Sequence, residues 1–358
     1  MKEKYKYYID VLNVISCLSV VILHTNNAFW KFSYESYWIS ANFIECIFYF
    51  AVPVFFMITG VTTIDYREKY GTRVFLKKRI QKSLIPFVLW SMIATLYFAI
   101  FKRMEQDTSS VVAIIDGIIN TKYVSIYWFF IGLFSLYLVI PVISLIPKEK
   151  RIKCFFYIIV TSFMFNYWIP FMSSVFPGKI TYNGALKNYF GDQYIFYALC
   201  GYLIDNVAIE KRWRYCIYGA GFAGLIIHIF GTWYLSYRDG YINGMFKGYM
   251  NVPCIVYSIA IFLLIKSFIE KRKYFYKKII SFYNGSTFGV YLMHWYFIDL
   301  FLYLTKKKYY ENFVYRLFGG IILFLTVGIV VKLMQKNKIC RKYFLPKKEL
   351  LYKKKRRR

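Results

Sequence analysis

The sequence predicts an all-α polytopic membrane protein, and three observations support this prediction. Apolar and aromatic residues make up 58% of the 358 residues, and the mean hydropathy is +0.40. Apolar runs of roughly 20 residues recur along the chain, and that is the length an α-helix needs to cross about 30 Å of hydrocarbon. Lysine and arginine are concentrated in the segments between alternate runs, which is typical of chains that cross a membrane repeatedly.

About ten transmembrane helices are predicted from these runs. Charged residues are rare inside each run and separate most runs from the next. The fourth, fifth and sixth runs are interrupted or bordered by Pro141, Pro170 and the pair Asp192/Gln193. The predicted spans are 8–29, 40–64, 83–101, 124–146, 154–171, 189–206, 215–235, 251–268, 284–304 and 313–334.

The net charge of +30 is distributed unevenly along the chain. With a cytoplasmic N-terminus, 34 of the 48 lysines and arginines fall in segments that face the cytoplasm. This asymmetry predicts that both termini are cytoplasmic. Residues 1–335 then form the transmembrane domain, and 336–358 form a basic cytoplasmic tail that contacts anionic membrane lipid. Because topology explains the charge, no nucleic-acid partner is predicted.

Cysteine spacing and a glycine-rich motif predict neither a metal site nor a dinucleotide site. The seven cysteines include no CxxC pair, so no metal is expected. The motif "GAGFAG" at 219–224 matches GxGxxG, but a dinucleotide site needs that motif between a strand and a helix. Within an apolar run, small residues instead predict close packing of two membrane helices.

Ionisable and histidine side chains inside the predicted spans are the candidates for function, because such groups are costly in hydrocarbon. His24 lies about 25 Å along its helix from the cytoplasmic start, and Glu45 enters the next span from the outer side. Both are therefore expected at similar depth, where the carboxylate could fix the imidazole tautomer. The alternative is an interfacial His24 that bonds a backbone carbonyl. The residues taken as candidates are Asp10, His24, Glu45, Asp192, His228, His294 and Asp299.

His294 and His228 lie near the middle of the ninth and seventh spans. Each is interpreted either as a hydrogen-bonded packing residue or as a further catalytic residue. Only His294 has an acidic neighbour on its own helix, Asp299, five residues later.

A strongly basic loop precedes the third span. Arg79 and Lys82 are three residues apart and share a helical face, so they could grip a phosphate, with Arg73 or Lys78 assisting. The alternative is a loop whose charges serve only to orient the chain in the membrane.

In this arrangement the chain resembles the membrane-bound acyltransferase-3 family, which O-acylates surface polysaccharides and other molecules with acyl-coenzyme A. Five fragments match the family in order and cover nearly the whole chain: "YIDVLNVISCLSVVILHT", "VPVFFMITGVT", "FLKKRIQKSLIPFVLWS", "IYWFFIGLFSLYLVIPVI" and "STFGVYLMHW". Asp10 and His24 are in register with the family's first helix. The basic fragment looks most like members that modify exopolysaccharide in Gram-positive bacteria.

Two positions depart from the family pattern. Asn13 stands eleven residues before His24, where the family commonly has arginine. The family's Arg-x-x-Arg motif is here Arg79-Ile-Gln-Lys82, and lysine keeps the charge but loses bidentate phosphate geometry. These departures concern how the acyl donor is held.

The resemblance implies a bacterial plasma-membrane O-acyltransferase. It implies that His24 is the catalytic base, with Glu45 and His294 as candidate partners. It also implies that acyl-coenzyme A, with acetyl as the expected acyl group, binds at Arg79 and Lys82 with Arg73 or Lys78. The acceptor would be a polysaccharide or glycolipid hydroxyl, and the acyl group could pass directly or through an acyl-histidine. A transporter or flippase for a lipid-linked sugar, and more remotely a membrane sensor, are the alternatives.

Overall fold

The computed structural model describes residues 6–101, 108, 110–271 and 276–346. The regular elements in these residues are helices. The α-helices in chain order are α1 (Tyr7–Thr25), α2 (Ser36–Phe48), α3 (Ala51–Thr63), α4 (Thr72–Arg79), α5 (Ile85–Ile100), α6 (Val111–Ile119), α7 (Trp128–Ile143), α8 (Lys148–Ser162), α9 (Ile169–Val175), α10 (Tyr194–Asn206), α11 (Lys211–Ile226), α12 (Thr232–Asp239), α13 (Val252–Lys271), α14 (Lys277–Asn284), α15 (Thr287–Leu304) and α16 (Gly320–Met334).

The prediction of an all-α polytopic membrane protein is confirmed, with one difference in the helix count. Within the described ranges, 9 helical segments are long and apolar enough to cross a membrane. The sixth predicted span contains α10, which has only 13 residues and would reach about 20 Å. It is preceded by a short 3₁₀ turn, Tyr189–Gly191, and by Gln193, whose φ is positive at 49°. These turns replace the first part of the predicted helix.

The short helix α10 is held by close backbone contact with α3. A Cβ on Gly60 would lie 1.9 Å from the carbonyl oxygen of Ala198, and one on Gly201 would lie 2.3 Å from that of Met57. Glycine at both positions therefore lets the two backbones touch. The predicted role of "GAGFAG" is confirmed in the same way, because a Cβ on Gly221 of α11 would meet Ala260 of α13 at 2.2 Å.

Helix α1 is the centre of the bundle and defines its two ends. Most of its residues are buried, and it packs on α3, α13, α15 and α16. Asn13 lies in its N-terminal half and His24 at its C-terminal end, about 16 Å apart along the helix axis. We call the two ends of the bundle the Arg79 end and the His24 end.

The segment after α16 folds back onto the Arg79 end. Its π-helical turn Cys340–Phe344 brings the carbonyl oxygen of Phe344 to Trp90 Nε1, which donates to it at 3.1 Å. Leu345 is buried. The division into a domain at 1–335 and a tail at 336–358 stays a prediction, and residues 347–358 of that tail lie outside the described residues.

Candidate active site

A large cavity opens at the His24 end. Its volume is 860 Å³. Helices α1 and α15, the turn before α7 and the loop after α15 supply its walls. Its lining residues include His24, Asn27, Lys31, Ser125, Ile126, Trp295, Asp299, Tyr303, Lys307, Lys308, Tyr310 and Glu311. Polar groups and aromatic rings dominate this lining, a combination suited to a sugar-like ligand.

The structure places His24 and His294, two of the histidines predicted as candidate functional residues, in direct contact. His24 Nδ1 lies 2.7 Å from His294 Nε2, and the two rings stack with centroids 5.0 Å apart. His294 is fully buried, whereas His24 is partly exposed to the cavity. Only the nearer ring can therefore reach a ligand in the cavity.

The hydrogen bonds assign a tautomer to each neutral ring. His294 Nδ1 lies 2.9 Å from the carbonyl oxygen of Val290, and a carbonyl can only accept, so this nitrogen carries the proton. Nε2 of His294 is then an acceptor, and His24 must donate to it from Nδ1. His24 is left with an unprotonated Nε2, which is the form that a general base requires.

Glu45 is not beside His24, contrary to the partner that the sequence suggested. Its carboxylate lies 3.2 Å from Lys247 Nζ and accepts a hydrogen bond from Asn26 at 3.5 Å. The prediction that Glu45 lies at a depth similar to that of His24 agrees with its contact to Asn26, two residues after His24. Lys247, however, comes from the loop after α12, and sequence spacing gave no sign of that contact.

Lys247 fills an aromatic box at this position. Its Nζ lies 3.8 Å from the ring centroid of Tyr49, 4.2 Å from that of Trp30 and 4.9 Å from that of Phe29. Burial lowers the pKa of Lys247, but the charge and hydrogen bond of Glu45 together with the neighbouring Tyr49 and Cys46 outweigh it, and the pKa is raised above its ordinary value. The buried pair therefore joins α2 to the loop before α13 as a structural contact.

A second, narrower cavity lies at the Arg79 end. Its volume is 240 Å³, and Asn13, Arg79, Lys82, Asn284, Thr287 and Tyr291 are among its lining residues. The Arg79 guanidinium lies 5.0 Å from the Phe75 ring and 5.1 Å from the Tyr137 ring. These rings hold the cation in place. Arg79 Nε is buried and has no hydrogen-bond partner among the described residues.

The structure brings together two of the four basic residues predicted to hold a donor. Lys82 lies in the π-helical turn Ile80–Leu84, an irregularity often found at functional sites. Arg73 is exposed on α4 and does not line the cavity. Lys78 Nζ lies over the Tyr70 ring at 3.8 Å, also outside the lining.

Asn13 is committed to a hydrogen-bond network. Its amide donates to Asn284 Oδ1 at 2.6 Å and to Thr287 Oγ1 at 2.8 Å, and Asn284 donates to Asp10 at 2.7 Å. The network ties α1 to α14 and α15. Asn13 therefore orders the cavity wall, and unlike arginine it brings no positive charge.

Tyr291 separates the two cavities and was missed by the sequence analysis. It lines the Arg79 cavity, while its ring centroid lies 5.7 Å from that of His294. Its hydroxyl donates at 2.5 Å to the carbonyl oxygen of Ile126, a residue that lines the His24 cavity. The signal was its spacing, since Tyr291 and His294 are three residues apart on one helical face.

His228 belongs to neither cavity. It is fully buried, its ring packs 5.4 Å from Tyr49, and neither ring nitrogen has a hydrogen-bond partner among the described residues. His228 is therefore packed against an aromatic ring, but the hydrogen bond that the sequence interpretation expected is absent from the described residues. Over the same residues, no group of three or more His, Cys, Asp or Glu side chains is arranged to hold a metal ion.

Fold and site define a polytopic membrane protein with a paired histidine at one end and a cationic cavity at the other. The acyltransferase-3 family model, described as an acyltransferase domain, matches residues 6–333. The chain therefore belongs to the acyltransferase-3 family and is a membrane acyltransferase. No curated protein and no solved structure gives a significant match.

Proposed function

We propose that this acyltransferase moves an acyl group, acetyl in the simplest case, from cytoplasmic acyl-coenzyme A to a sugar hydroxyl of a surface polysaccharide or glycolipid. The observation that supports this best is the pairing of His24 with His294, because it leaves a basic nitrogen on the ring that lines the large polar cavity. The proposed location is the bacterial plasma membrane.

The chemistry follows from the tautomers. A sugar hydroxyl is a weak nucleophile, so His24 Nε2 takes its proton while the oxygen attacks the thioester carbonyl. The new C–O bond forms, the C–S bond breaks, and the proton passes to the departing thiolate. While His24 is protonated, its Nδ1–H donates to the neutral His294 Nε2, a charge-assisted hydrogen bond that stabilises the imidazolium.

The donor is proposed to enter from the Arg79 end. Coenzyme A carries several phosphate charges. Arg79 is held in place by aromatic rings, and its buried Nε has no hydrogen-bond partner in the part of the chain that the structure describes. Lys82 adds a second positive charge to the same cavity. The acyl arm would then extend past Tyr291 toward the histidine pair.

The orientation is proposed from the charge asymmetry. Both termini would be cytoplasmic, which places the Arg79 end inside and the His24 end outside. Reporter fusions after residue 335 test this, and an external signal would reverse the assignment of the two cavities.

The test of function is mass spectrometry of surface glycans from cells with the wild-type protein, with His24→Ala and without the protein. O-acyl groups should appear only with the wild-type protein. His228→Ala at matched membrane abundance is the control, because that histidine lies away from both cavities. Full O-acylation by His24→Ala would overturn the mechanism.

A further inference from the structure

The loop after α15 carries the consecutive lysines 306–308 at the His24 end. Most basic residues of the chain lie in segments assigned to the opposite side, so this run goes against the positive-inside pattern and does not serve orientation. A role at the His24 cavity is the simplest explanation of its position.

Two of these lysines line the cavity. Lys307 and Lys308 form part of its wall, and Lys31 joins them from the loop after α1. Two carboxylates, Asp299 and Glu311, are also in the lining, and Asp299 accepts a hydrogen bond from Tyr97 at 2.7 Å. With His24 neutral, the lining carries three positive and two negative side chains, an excess of one positive charge.

Hydrogen bonds hold the loop after α15 against the rest of the bundle. Tyr310 donates from its hydroxyl to the carbonyl oxygen of Asn27 at 2.9 Å, three residues after His24. Lys307 N donates to Leu302 O at 2.8 Å and closes the end of α15. Lys306 and Lys307 have φ of 49° and 60°, the left-handed region where glycine is usual at a helix end. Lysine occupies these positions in spite of the steric cost.

We infer that the acceptor is an anionic glycan, whose carboxylate or phosphate groups contact Lys31, Lys307 and Lys308 while a neighbouring hydroxyl reaches His24 Nε2. This inference rests on the proposed function and specifies its acceptor. The rings of Trp295 and Tyr303 in the same lining offer apolar faces for the sugar rings.

The experiment compares acceptors that differ only in charge, with purified protein in neutral detergent and saturating acetyl-coenzyme A. One pair is a uronic-acid oligosaccharide and its carboxyl-reduced neutral form, and a second is an oligosaccharide that carries a phosphomonoester group and its dephosphorylated form. The acidic member of at least one pair should have a KM lower by on the order of tenfold. The two pairs distinguish carboxylate from phosphate, and 1 M salt should remove the advantage.

Matched lysine variants sharpen the test. Lys307→Gln and Lys308→Gln should each raise the KM for the acidic acceptor roughly two- to fivefold, a larger factor than for the neutral acceptor measured with the same variant. Lys306→Gln is the control, because it removes the same charge from the same left-handed turn but does not line the cavity. Binding of the acidic oligosaccharide to His24→Ala protein should show the same ranking without turnover.

Three outcomes would contradict the inference. Equal KM values for acidic and neutral acceptors, with transfer intact, would overturn the anionic acceptor and leave the proposed function standing. If Lys307→Gln leaves the KM for the acidic acceptor unchanged and alters only the binding of the protein to anionic lipid in vesicles, the lysines are lipid contacts. Transfer to neither acceptor, with acyl-coenzyme A still bound, would count against the proposed function itself.

Discussion

The two ends of the bundle both combine cations with aromatic rings, but they are built differently. At the His24 end the cavity is 860 Å³, its lining lysines are exposed, and His24 of the histidine pair lines it. At the Arg79 end the cavity is 240 Å³, and the guanidinium lies against two aromatic rings. A wide opening suits a bulky acceptor that must come and go, whereas a narrow one suits a single extended arm of fixed chemistry.

The largest loss of turnover is expected from His24→Ala, which removes the base from the wide cavity. General-base catalysis contributes about 10²–10⁴-fold, so acyl transfer should fall at least that far. Membrane abundance should stay near wild type, since alanine is less costly than an imidazole in this setting. Acyl transfer measured at matched expression, beside His228→Ala, checks both parts.

The next largest loss is expected from His294→Ala, which leaves the Nδ1–H of His24 without its acceptor. An unsatisfied buried donor costs roughly 1–3 kcal/mol, so kcat should fall about 10- to 100-fold, with KM for acyl-coenzyme A unchanged. His294→Gln supplies an amide oxygen as acceptor and should recover part of the loss. An equal loss of kcat in His294→Ala and His294→Gln, or a raised KM with unchanged kcat, would show that His294 does not position His24.

At the narrow end, Arg79→Ala should weaken acyl-coenzyme A binding about 10- to 100-fold, the range for a charge-assisted hydrogen bond. The affinity should also fall as salt rises. Lys82→Arg should keep or improve binding, because arginine adds bidentate geometry. Lys77→Ala, an exposed charge on the same helix, is the control. If purified Arg79→Ala protein binds acyl-coenzyme A with unchanged affinity, the basic residues of this segment serve only to orient the chain in the membrane.

The smallest effect on turnover per folded molecule is expected from Glu45→Gln. This change leaves Lys247 buried without its counter-charge, so its cost should fall on stability, by about 3 kcal/mol. Thermal unfolding in detergent should show a lowered Tm with near-normal kcat. Adding Lys247→Met should restore the Tm, and a low kcat that persists in the restored protein would give Glu45 a role in catalysis.

The sequence by itself determined the class of the protein, most of its membrane-spanning segments and the short inventory of polar residues in them. Hydropathy and charge are additive along the chain, and depth follows from the position of a residue in its helix. That reasoning therefore placed His24 and Glu45 at one level, and Arg79 and Lys82 near the other end.

Only the tertiary structure decided which of these residues meet. His24 and His294 are 270 positions apart, and Lys247 reaches Glu45 from a loop that carries no periodic signal. The sequence marked the pair Asp192/Gln193 at the sixth run, but only the structure showed that the positive φ of Gln193 and the turn before it shorten this helix to α10. Neighbours within the membrane are selected by packing, such as the glycine contacts of α3 with α10. Packing depends on the shapes of both partners, and the hydropathy of one segment contains no information about the other.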